Sequence, residues 1–344
     1  MQPPPGRQRE GEPTIDDVAA AASVSIRTVS RVLNKSPKVN AETRLRIEAA
    51  IAALRFRPSL RARGLAMRRS FLIGLIHNDR NALVLDSIQR GIVALTAARG
   101  YEVIVHPTPV QPDAAIADVL DFVDRSRADG LVVLPPISGL DGLAAALAEA
   151  QVPAVALSSV PIEGFSGVIV SDEREASALV ARHLLGLGHR RLGIVNGPAD
   201  VSSAQQRRLG FLEEVARHGG AEVAEAPGDY DFPSGVAAAE HLLDLPRRPT
   251  GIFAANDIMA AGVLKVAARR QIAVPSELSV VGFDGSILTR MLTPALTSVL
   301  RPFGDMAAAA AEQLIARIEG REPPPPFHAA LEIVAAETTG QAPA

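Results

Sequence analysis

Chemically versatile side chains stand directly after several short apolar runs of this 344-residue chain. Runs such as PAVAL and LSVVGFD are typical of buried parallel strands, and open α/β sheets bind ligands beyond the carboxyl ends of their strands. Amides, carboxylates and a guanidinium can hydrogen-bond vicinal hydroxyls, while an aromatic face can cover the apolar side of a sugar ring. The residues that we expect to bind a carbohydrate or another polar small molecule are Asn78, Asp79, Ser158, Arg207, Tyr230, Asn256 and Asp284.

Some of these residues also have structural explanations. Asp284 and Asp257 each follow an apolar run and could cap a helix or a turn, and Tyr230 could be a core aromatic. The histidines are scattered singly, which favours structural roles over catalysis or metal binding: His77, His183 and His189.

Sequence motifs of common enzymes are absent. The chain contains no G-x-S-x-G, G-x-x-x-x-G-K-[ST] or H-E-x-x-H, and Gly186-Leu187-Gly188 lacks the third glycine of a dinucleotide-binding loop. It has no cysteine, which removes disulfides, thiolate metal ligands and thiol nucleophiles. We therefore expect a protein that is not an enzyme and uses no cofactor or metal.

The elements that would hold these residues alternate along the chain from Ser70 onward. Apolar runs are separated by helical stretches, a pattern typical of parallel sheets covered on both faces. The pattern restarts after GVIVSD, which predicts two similar lobes. We expect helices at about 84–99, 112–127, 139–150, 173–187, 204–218, 234–244, 257–270 and 303–319, and a last strand near 328–334.

Charge separates an N-terminal head from this body. Residues 1–70 hold 14 Lys and Arg against 6 Asp and Glu, a net +8, whereas the remainder carries −11. A basic segment is expected where a protein contacts phosphates, and an acidic body is repelled by DNA. A solvated charged face is the alternative, but the division favours a head that binds DNA.

Two short helices joined by a tight turn are predicted in the head. Thr14 can cap the first helix, and Ser25 can cap the second, which has Val29 and Val32 on one side. In a helix-turn-helix the second helix enters the major groove with its N-terminal residues at the base edges. Arg27 could pair with guanine or contact phosphate. The residues of this helix expected at the DNA are Ser25, Ile26, Arg27, Thr28, Ser30 and Arg31.

A third helix is predicted from about Asn40 until Pro58, with a core of Leu45, Ile47, Ile51 and Leu54. Residues 59–66 then offer one or two helical turns, which are too short to be stable alone and are weakened by Gly64. We expect this segment to fold on DNA.

The head and the body together resemble the lac repressor (LacI/GalR) family of bacterial transcription regulators. In the head the likeness lies in Thr14-Ile15-x-Asp17-Val18-Ala19, in Val24-Ser25-x-x-Thr28-Val29-Ser30-Arg31-Val32-Leu33-Asn34, and in Pro58-Ser59 with Ala62-Arg63-x-Leu65. In the body it lies in His183–His189, Arg207-x-x-Gly210-Phe211, Asn256-Asp257-x-Met259-Ala260-x-Gly262 and Val280–Asp284. The resemblance covers roughly residues 14–339.

For the head, the resemblance implies that residues 59–66 form a hinge helix and that Leu65 wedges into the minor groove at the operator centre. An apolar wedge of this kind unstacks bases, a cost offset by the wider contact with bent DNA. The resemblance adds further DNA contacts at Thr14, Asn34, Ser59 and Arg63. Ser23 departs from the Gly or Asn usual in the turn.

For the body, the resemblance implies the type I periplasmic-binding-protein fold, with two doubly wound parallel-sheet lobes and crossings near 170 and 300. Arg207, Tyr230, Asn256 and Asp284 match ligand positions of the family. We also expect Leu85 at the ligand; it belongs to a stretch in which many relatives have aromatics. Ser158 stands where an acid or Arg is frequent, so the ligand's identity cannot be copied.

The predicted organisation is an all-α head followed by an α/β body. It comprises a disordered arm (1–13), the helix-turn-helix domain (14–58), the hinge (59–69) and an effector-binding and dimerisation domain (70–337), with an N-lobe of about 70–169 and 301–337 and a C-lobe of about 170–300. The chain has no signal-peptide-like start and no run of about 18 apolar residues, so we expect a cytoplasmic protein, nucleoid-associated on DNA.

The predicted function is allosteric control of transcription. We expect a homodimer that represses from a pseudo-palindromic operator and responds to a sugar-like effector. Leucine heptads are absent, so we expect no larger assembly. One competing hypothesis is a solute-binding protein of a transporter, which predicts a signal peptide and no head. The other is an architectural DNA protein, which leaves the polar residues of the body without a ligand.

Overall fold

The computed structural model describes residues 13–33, 36, 38–56, 69–78, 81–109, 111–325 and 327–343. These residues form two compact units, the head up to Phe71 and the body from Leu72. The predictions for the arm at 1–12 and the hinge helix at 59–66, and those for Asn34, Ser59, Arg63, Leu65 and Asp79, lie outside the described residues.

The head contains the three predicted helices, α1 (Ile15–Ala21), α2 (Ile26–Leu33) and α3 (Ala41–Leu54). Thr14 caps α1 as predicted, since its hydroxyl accepts from the Asp17 amide and its own amide donates to the Asp17 carboxylate at 2.7 Å. Between α1 and α2, Ser23 adopts a left-handed backbone with φ 52°. Ser23 thus adopts the left-handed conformation that glycine reaches at lower cost.

The head's core lies between the helices, with Val18, Val29 and Ile47 fully buried. The prediction that Leu45 joins this core is wrong, because its side chain is 66% exposed. It precedes Ile47 by two residues, which places the two side chains on opposite faces of α3. Helix α3 also ends before Pro58, at Leu54, with Arg55 in a left-handed C-cap.

The body consists of two six-stranded sheets, which define its first and second lobes. The first sheet has the spatial order β2 (Glu102–Pro107), β1 (Leu72–His77), β3 (Gly130–Val133), β4 (Ala154–Ser158), β5 (Gly167–Ser171) and β11 (His328–Ala329), all parallel. The second has the order β7 (Glu222–Ala226), β6 (Arg191–Val195), β8 (Gly251–Ala254), β9 (Ser279–Asp284), β10 (Thr297–Leu300) and β12 (Glu332–Val334). Strand β12 alone runs antiparallel, paired with β10.

Helices cover both sheets, as the alternating pattern predicted. They are α4 (Ala82–Arg99), α5 (Pro112–Ser126), α6 (Leu143–Glu149), α7 (Glu173–Gly186), α8 (Ser202–His218), α9 (Phe232–Leu243), α10 (Asp257–Arg269), α11 (Leu288–Met291) and α12 (Phe303–Ile318). The helix predicted at 139–150 is shorter, because a 3-10 turn at Ile137–Gly139 and the left-handed Gly142 precede α6. Among the described helices, none is both long and apolar enough to cross a membrane.

The chain passes between the lobes after β5 and after β10, close to the predicted crossings. The prediction of a single last strand near 328–334 is wrong. Strand β11 joins the edge of the first sheet, and β12 pairs with β10 in the second, so the chain crosses a third time. Residues beyond 331, predicted in the N-lobe, thus lie on the second lobe. There the carbonyl of buried Thr338 accepts from the amide of Val280 in β9, and the Thr338 hydroxyl donates to the Val280 carbonyl at 2.7 Å.

Candidate functional site

A cavity of about 550 Å³ lies between the two lobes of the body. The carboxyl ends of strands from both sheets open into it, which is where parallel sheets bind ligands. The predicted ligand residues that line it are Asn78, Leu85, Ser158, Arg207, Tyr230, Asn256 and Asp284. Distant parts of the sequence are thereby brought to one site, and we call this cavity the cleft.

Four charged side chains form the floor of the cleft, and we call them the charge cluster: Glu173, Arg207, Asp284 and Arg301. The first three are buried, and the Arg301 side chain is 10% exposed. Arg207 is 3% exposed and donates from Nε to Glu173 at 2.7 Å and from Nη1 to the carbonyl of Ala255. The Arg301 guanidinium forms an ion pair with the other Glu173 oxygen at 2.9 Å. Asp284 lies 3.4 Å from Arg207 and 3.6 Å from Arg301. Two acids and two bases therefore balance in formal charge, which limits the cost of burying them.

Aromatic rings hold the two guanidinium groups in place. The Arg207 guanidinium carbon lies 3.9 Å from the centroid of the Phe283 ring and 5.5 Å from that of Tyr230. That of Arg301 lies 4.3 Å from the Phe303 ring centroid. These contacts are cation–π attractions at desolvated sites, and they fix the direction in which each guanidinium fork points.

The protonation tendencies of the two acids in the charge cluster differ. Burial opposes ionisation of Glu173, but the charges of Arg207 and Arg301 outweigh it and hold the pKa of this carboxyl below its ordinary value. Burial raises the pKa of Asp284, against the attraction of the same two arginines. Glu173 is thus the firmly ionised partner, whereas Asp284 is the more easily protonated acid.

Tyr230 is held against the cleft by several close neighbours. Its hydroxyl lies 3.2 Å from that of Ser203, its backbone φ is 60°, and a Cβ at Gly197 would overlap its ring. The Asn256 amide donates to the Tyr230 carbonyl at 2.9 Å and accepts from the Met259 amide at 2.8 Å. Asn256 is therefore a helix cap that also positions Tyr230, and these two bonds leave one amide N–H and one lone pair of its oxygen for a ligand.

In the head, the first turn of α2 presents the predicted DNA-contacting residues. The hydroxyl of Ser25 caps the helix by accepting from the Thr28 amide at 3.2 Å, and the two hydroxyls lie 2.9 Å apart. Ile26 is 46% exposed, and Arg27 and Arg31 are exposed as well. An exposed isoleucine beside exposed arginines suits a surface that meets base edges.

Comparison with known proteins identifies the family. Residues 14–59 match the model described as bacterial regulatory proteins, lacI family, and residues 181–339 match a periplasmic binding protein-like domain. Catabolite control protein A of Priestia megaterium is 31% identical over 302 residues, covering 86% of this chain and 90% of that protein. The ribose operon repressor of Escherichia coli K12 is 30% identical over 310 residues, covering 89% and 93%.

The chain belongs to the lacI family of bacterial regulatory proteins. A solved structure of the lac repressor dimer bound to operator and the anti-inducer ONPF matches it with a TM-score of 0.78 at 28% identity, covering 95% of this chain and 99% of that one. The predicted fold, a helix-turn-helix head with a two-lobed parallel-sheet body, is confirmed.

Among the other residues that line the cleft of this lacI-family protein, the sequence analysis missed three that belong to the charge cluster or contact it: Asn81, Glu173 and Arg301. Glu173 opens α7 just after β5, and Arg301 directly follows β10, so each stands at the strand-end position used to select the others. Asn81 caps α4 and donates to Asp284 at 3.5 Å. That contact joins the lobes across the cleft.

The sequence left open whether Asp257 and Asp284 cap a helix or a turn, and the two residues have different surroundings in the fold. Asp257 accepts from the Ser286 amide at 2.7 Å and from the Ser298 hydroxyl at 2.5 Å, so it holds the turn that follows Asp284. Burial and the charge of Asp284 raise the pKa of Asp257 to about 7. Asp284 itself faces the arginines of the charge cluster and caps no helix.

The histidines do not form a common site. His189 is buried between the hydroxyls of Thr250 and Ser279, and His183 bonds the hydroxyl of Thr339. Among the described residues, no group of three or more His, Asp or Glu side chains is placed to hold a metal ion.

Proposed function

We propose that this lacI-family protein is a transcriptional repressor whose affinity for an operator is set by a small polar effector, a carbohydrate, bound in the cleft. The observation that carries the proposal is the cleft itself, whose buried Arg207 and Asp284 belong to the same chain as a helix that exposes Ile26 and Arg27. The repressor names of two relatives support the direction of control.

The assignment of effector contacts is part of this proposal. Arg207 and Asp284 offer a donor fork and an acceptor at one wall, and Tyr230 offers a ring face, which together suit vicinal hydroxyls. Asn78, Leu85 and Ser158 would contact the ligand from the first lobe. Asn256 would act mainly by positioning Tyr230.

The DNA contacts of the head are likewise proposed. Arg27 and Ile26 would face base edges, and Ser25 and Thr28 would add contacts beside their capping bond. Thr14, Ser30 and Arg31 would contact the DNA backbone or bases at the edge.

We infer that the repressor acts as a homodimer with two heads on a pseudo-palindrome, as an operator with two half-sites requires. The dimeric lac repressor structure supports this state, and Ile287 and Met291 expose apolar surface on α11 that a partner could cover. Acting on DNA, the protein would work in the cytoplasm at the nucleoid. It would not be an enzyme, since the charges of the cluster are engaged with one another.

A selection experiment tests the repressor function directly. The full chain is used to enrich binding sites from random duplex DNA, and we expect a two-fold symmetric sequence bound far more tightly than bulk DNA. Sites without symmetry, or equal affinity for all sequences, would overturn the proposal. A screen of sugars and nucleobases, by thermal shift and by release from the selected operator, then tests effector control.

Two substitutions separate the hinge from the cleft. Leu65→Ala should weaken binding to the selected operator much more than binding to non-specific DNA, and equal losses would contradict the assignment of Leu65 as a minor-groove wedge.

Asp284→Ala should abolish the response to any effector found while leaving the DNA affinity of the effector-free dimer nearly intact. An unchanged response at the same effector concentration would place the binding site elsewhere.

A further inference from the structure

The two walls of the cleft differ in chemistry. The first-lobe wall, including the start of α12, is built largely from aliphatic and proline side chains with one aromatic ring. They include Val84, Leu85, Pro135, Pro136, Ile137 and Phe303. A wall of this composition is poorly suited to hydrogen-bonding the hydroxyls of a sugar.

Several polar groups on the first-lobe wall are already engaged within the protein. The Ser138 hydroxyl donates to the Leu157 carbonyl at 2.7 Å, and the Ser158 hydroxyl accepts from the Val160 amide at 3.2 Å. Asn81 accepts from two amides of α4 and donates to Asp284. Apart from His77, Asn78 and Ser159, which also line it, the wall therefore offers a ligand mostly hydrocarbon.

The apolar wall faces the cavity in a body whose lobes already touch. Asn81 of the first lobe contacts Asp284 of the second, and a cavity of about 550 Å³ still remains beside them. This volume falls in the range of about 300–1,000 Å³ typical of sites for drug-sized ligands. The hydrocarbon surface is thus available to a ligand rather than covered by the opposite lobe.

The second-lobe wall is polar, and it offers no spare positive charge. The two cations among the described lining residues are Arg207 and Arg301, and both are balanced by Glu173 and Asp284. The remaining charged side chains of the described lining are the exposed Asp200 and Asp229, which add negative charge. An anionic ligand would meet net repulsion here.

We propose that the effector is an uncharged amphipathic molecule, such as an aryl or alkyl glycoside. Its hydroxyl-bearing part lies against Arg207, Asp284 and Tyr230, and its apolar part lies against Leu85 and Ile137. This inference rests on the proposed function and narrows it, because it excludes phosphorylated and acidic sugars and predicts that a free sugar fills only half of the site.

Matched triplets of compounds test the ligand class on the full-length protein. For glucose, galactose, mannose and xylose, the free sugar, its phenyl glycoside and its phosphate ester are titrated by calorimetry. For at least one sugar we expect the phenyl glycoside to bind about ten- to a hundredfold more tightly than the free sugar, the gain that burial of a phenyl group provides. No phosphate should bind.

A substitution then tests the apolar wall itself. Leu85→Asn should lower the affinity for the phenyl glycoside much more than the affinity for the free sugar, so that most of the gain from the phenyl group is lost. Leu83→Asn is the matched control, since Leu83 is a similarly half-buried residue of α4 that does not line the cleft, and it should keep the gain. Leu85→Ala, a milder truncation, repeats the test if the asparagine variant melts at a lower temperature than the control.

The outcomes separate this inference from the repressor function. Equal affinity for a free sugar and its glycoside, tighter binding of a phosphate, or no binding of any glycoside would overturn the amphipathic effector. Any of these could occur while the DNA selection still returns a symmetric operator, in which case the repressor assignment stands. Failure of the selection would overturn the proposed function itself.

Discussion

The two lobes are built on one strand order and differ in the residues that their elements bring to the cleft. Strand β4 of the first sheet ends at Ser158, whereas β9, its counterpart in the second, ends at Asp284. Helix α4 lines the cleft with Val84 and Leu85, whereas its counterpart α8 does so with serines and Arg207. Equivalent positions in the two lobes thus carry side chains of different polarity and charge.

The fold and the side chains determine different properties of the cleft. Parallel topology determines which chain positions reach the cleft, because carboxyl strand ends and helix starts meet at one edge. The residue types at those positions decide whether that edge binds hydroxyls or hydrocarbon. A charged floor is tolerated only where a second set of charges can balance it.

Removing the central cation of the second lobe should have the largest effect. Arg207→Ala leaves Glu173 and Asp284 buried with one arginine between them, which should lower the free energy of unfolding by about 3–5 kcal/mol in urea titrations. Arg208→Ala is the control, because Arg208 is exposed and pairs with Glu225 at the surface, where a loss below about 1 kcal/mol is expected. Similar losses for both variants would contradict the view that the charge cluster stabilises this lobe.

A carboxylate at position 158 of the first lobe, equivalent to Asp284 in the second, should destabilise the protein nearly as much. Ser158→Asp places a buried carboxylate on a wall whose described lining has no cation nearer than the balanced cluster, and we expect a loss of about 2–4 kcal/mol at pH 8. The loss should shrink at pH 5, where the new carboxyl can be protonated. Ser158→Asn separates charge from size; if it costs as much as the aspartate at pH 8, the lobes differ in packing rather than in tolerance of charge.

An added methyl group beside the Tyr230 ring tests how tightly this ring is packed in the second lobe. Gly197→Ala would place a methyl group against the Tyr230 ring and should destabilise the protein by about 1–3 kcal/mol. Thermal unfolding measures this against Gly186→Ala, whose added Cβ meets nothing within 4 Å and should be nearly neutral. A neutral Gly197→Ala would mean that Tyr230 moves freely.

The smallest expected effect is a change in pH dependence. Because the pKa of Asp257 in the folded protein, about 7, lies above the ordinary 3.8, the folded state binds more protons between these values and stability falls as pH rises towards 7. Asp257→Asn should therefore flatten the curve by about 1–2 kcal/mol between pH 5.5 and 8 in urea titrations. Asp229→Asn, at an exposed site, should keep the wild-type slope, and an identical slope for both variants would show that Asp257 is ionised without penalty.

Local patterns in the sequence predicted much of this molecule. Alternating apolar runs and helices predicted the body's two lobes, and strand-end positions predicted residues as far apart as Asn78 and Asp284 in one cleft. Such predictions succeed because burial and hydrogen bonding impose a period on each element. The motif resemblance supplied the lobe crossings that periodicity does not contain.

The rest depends on partners that are distant in the chain. The pairing of Glu173 with Arg301, and the way in which Asn256 uses its amide, are set by tertiary packing that no local pattern encodes. The burial of Leu45 was mispredicted because an apolar residue was assigned to the core without its position around the helix. The last strand was assigned to one lobe because either sheet edge could have received it.

The third crossing, between β11 and β12, changes the mechanics of the body. With one covalent connection, two rigid parts can twist and tilt about a point; with three connections side by side, most of those rotations would stretch at least one of them. The motion that remains easy is a rotation of one lobe against the other about an axis that runs through all three segments. Effector binding then acts on a single angular coordinate, so a small change of contacts in the cleft is converted into one defined displacement.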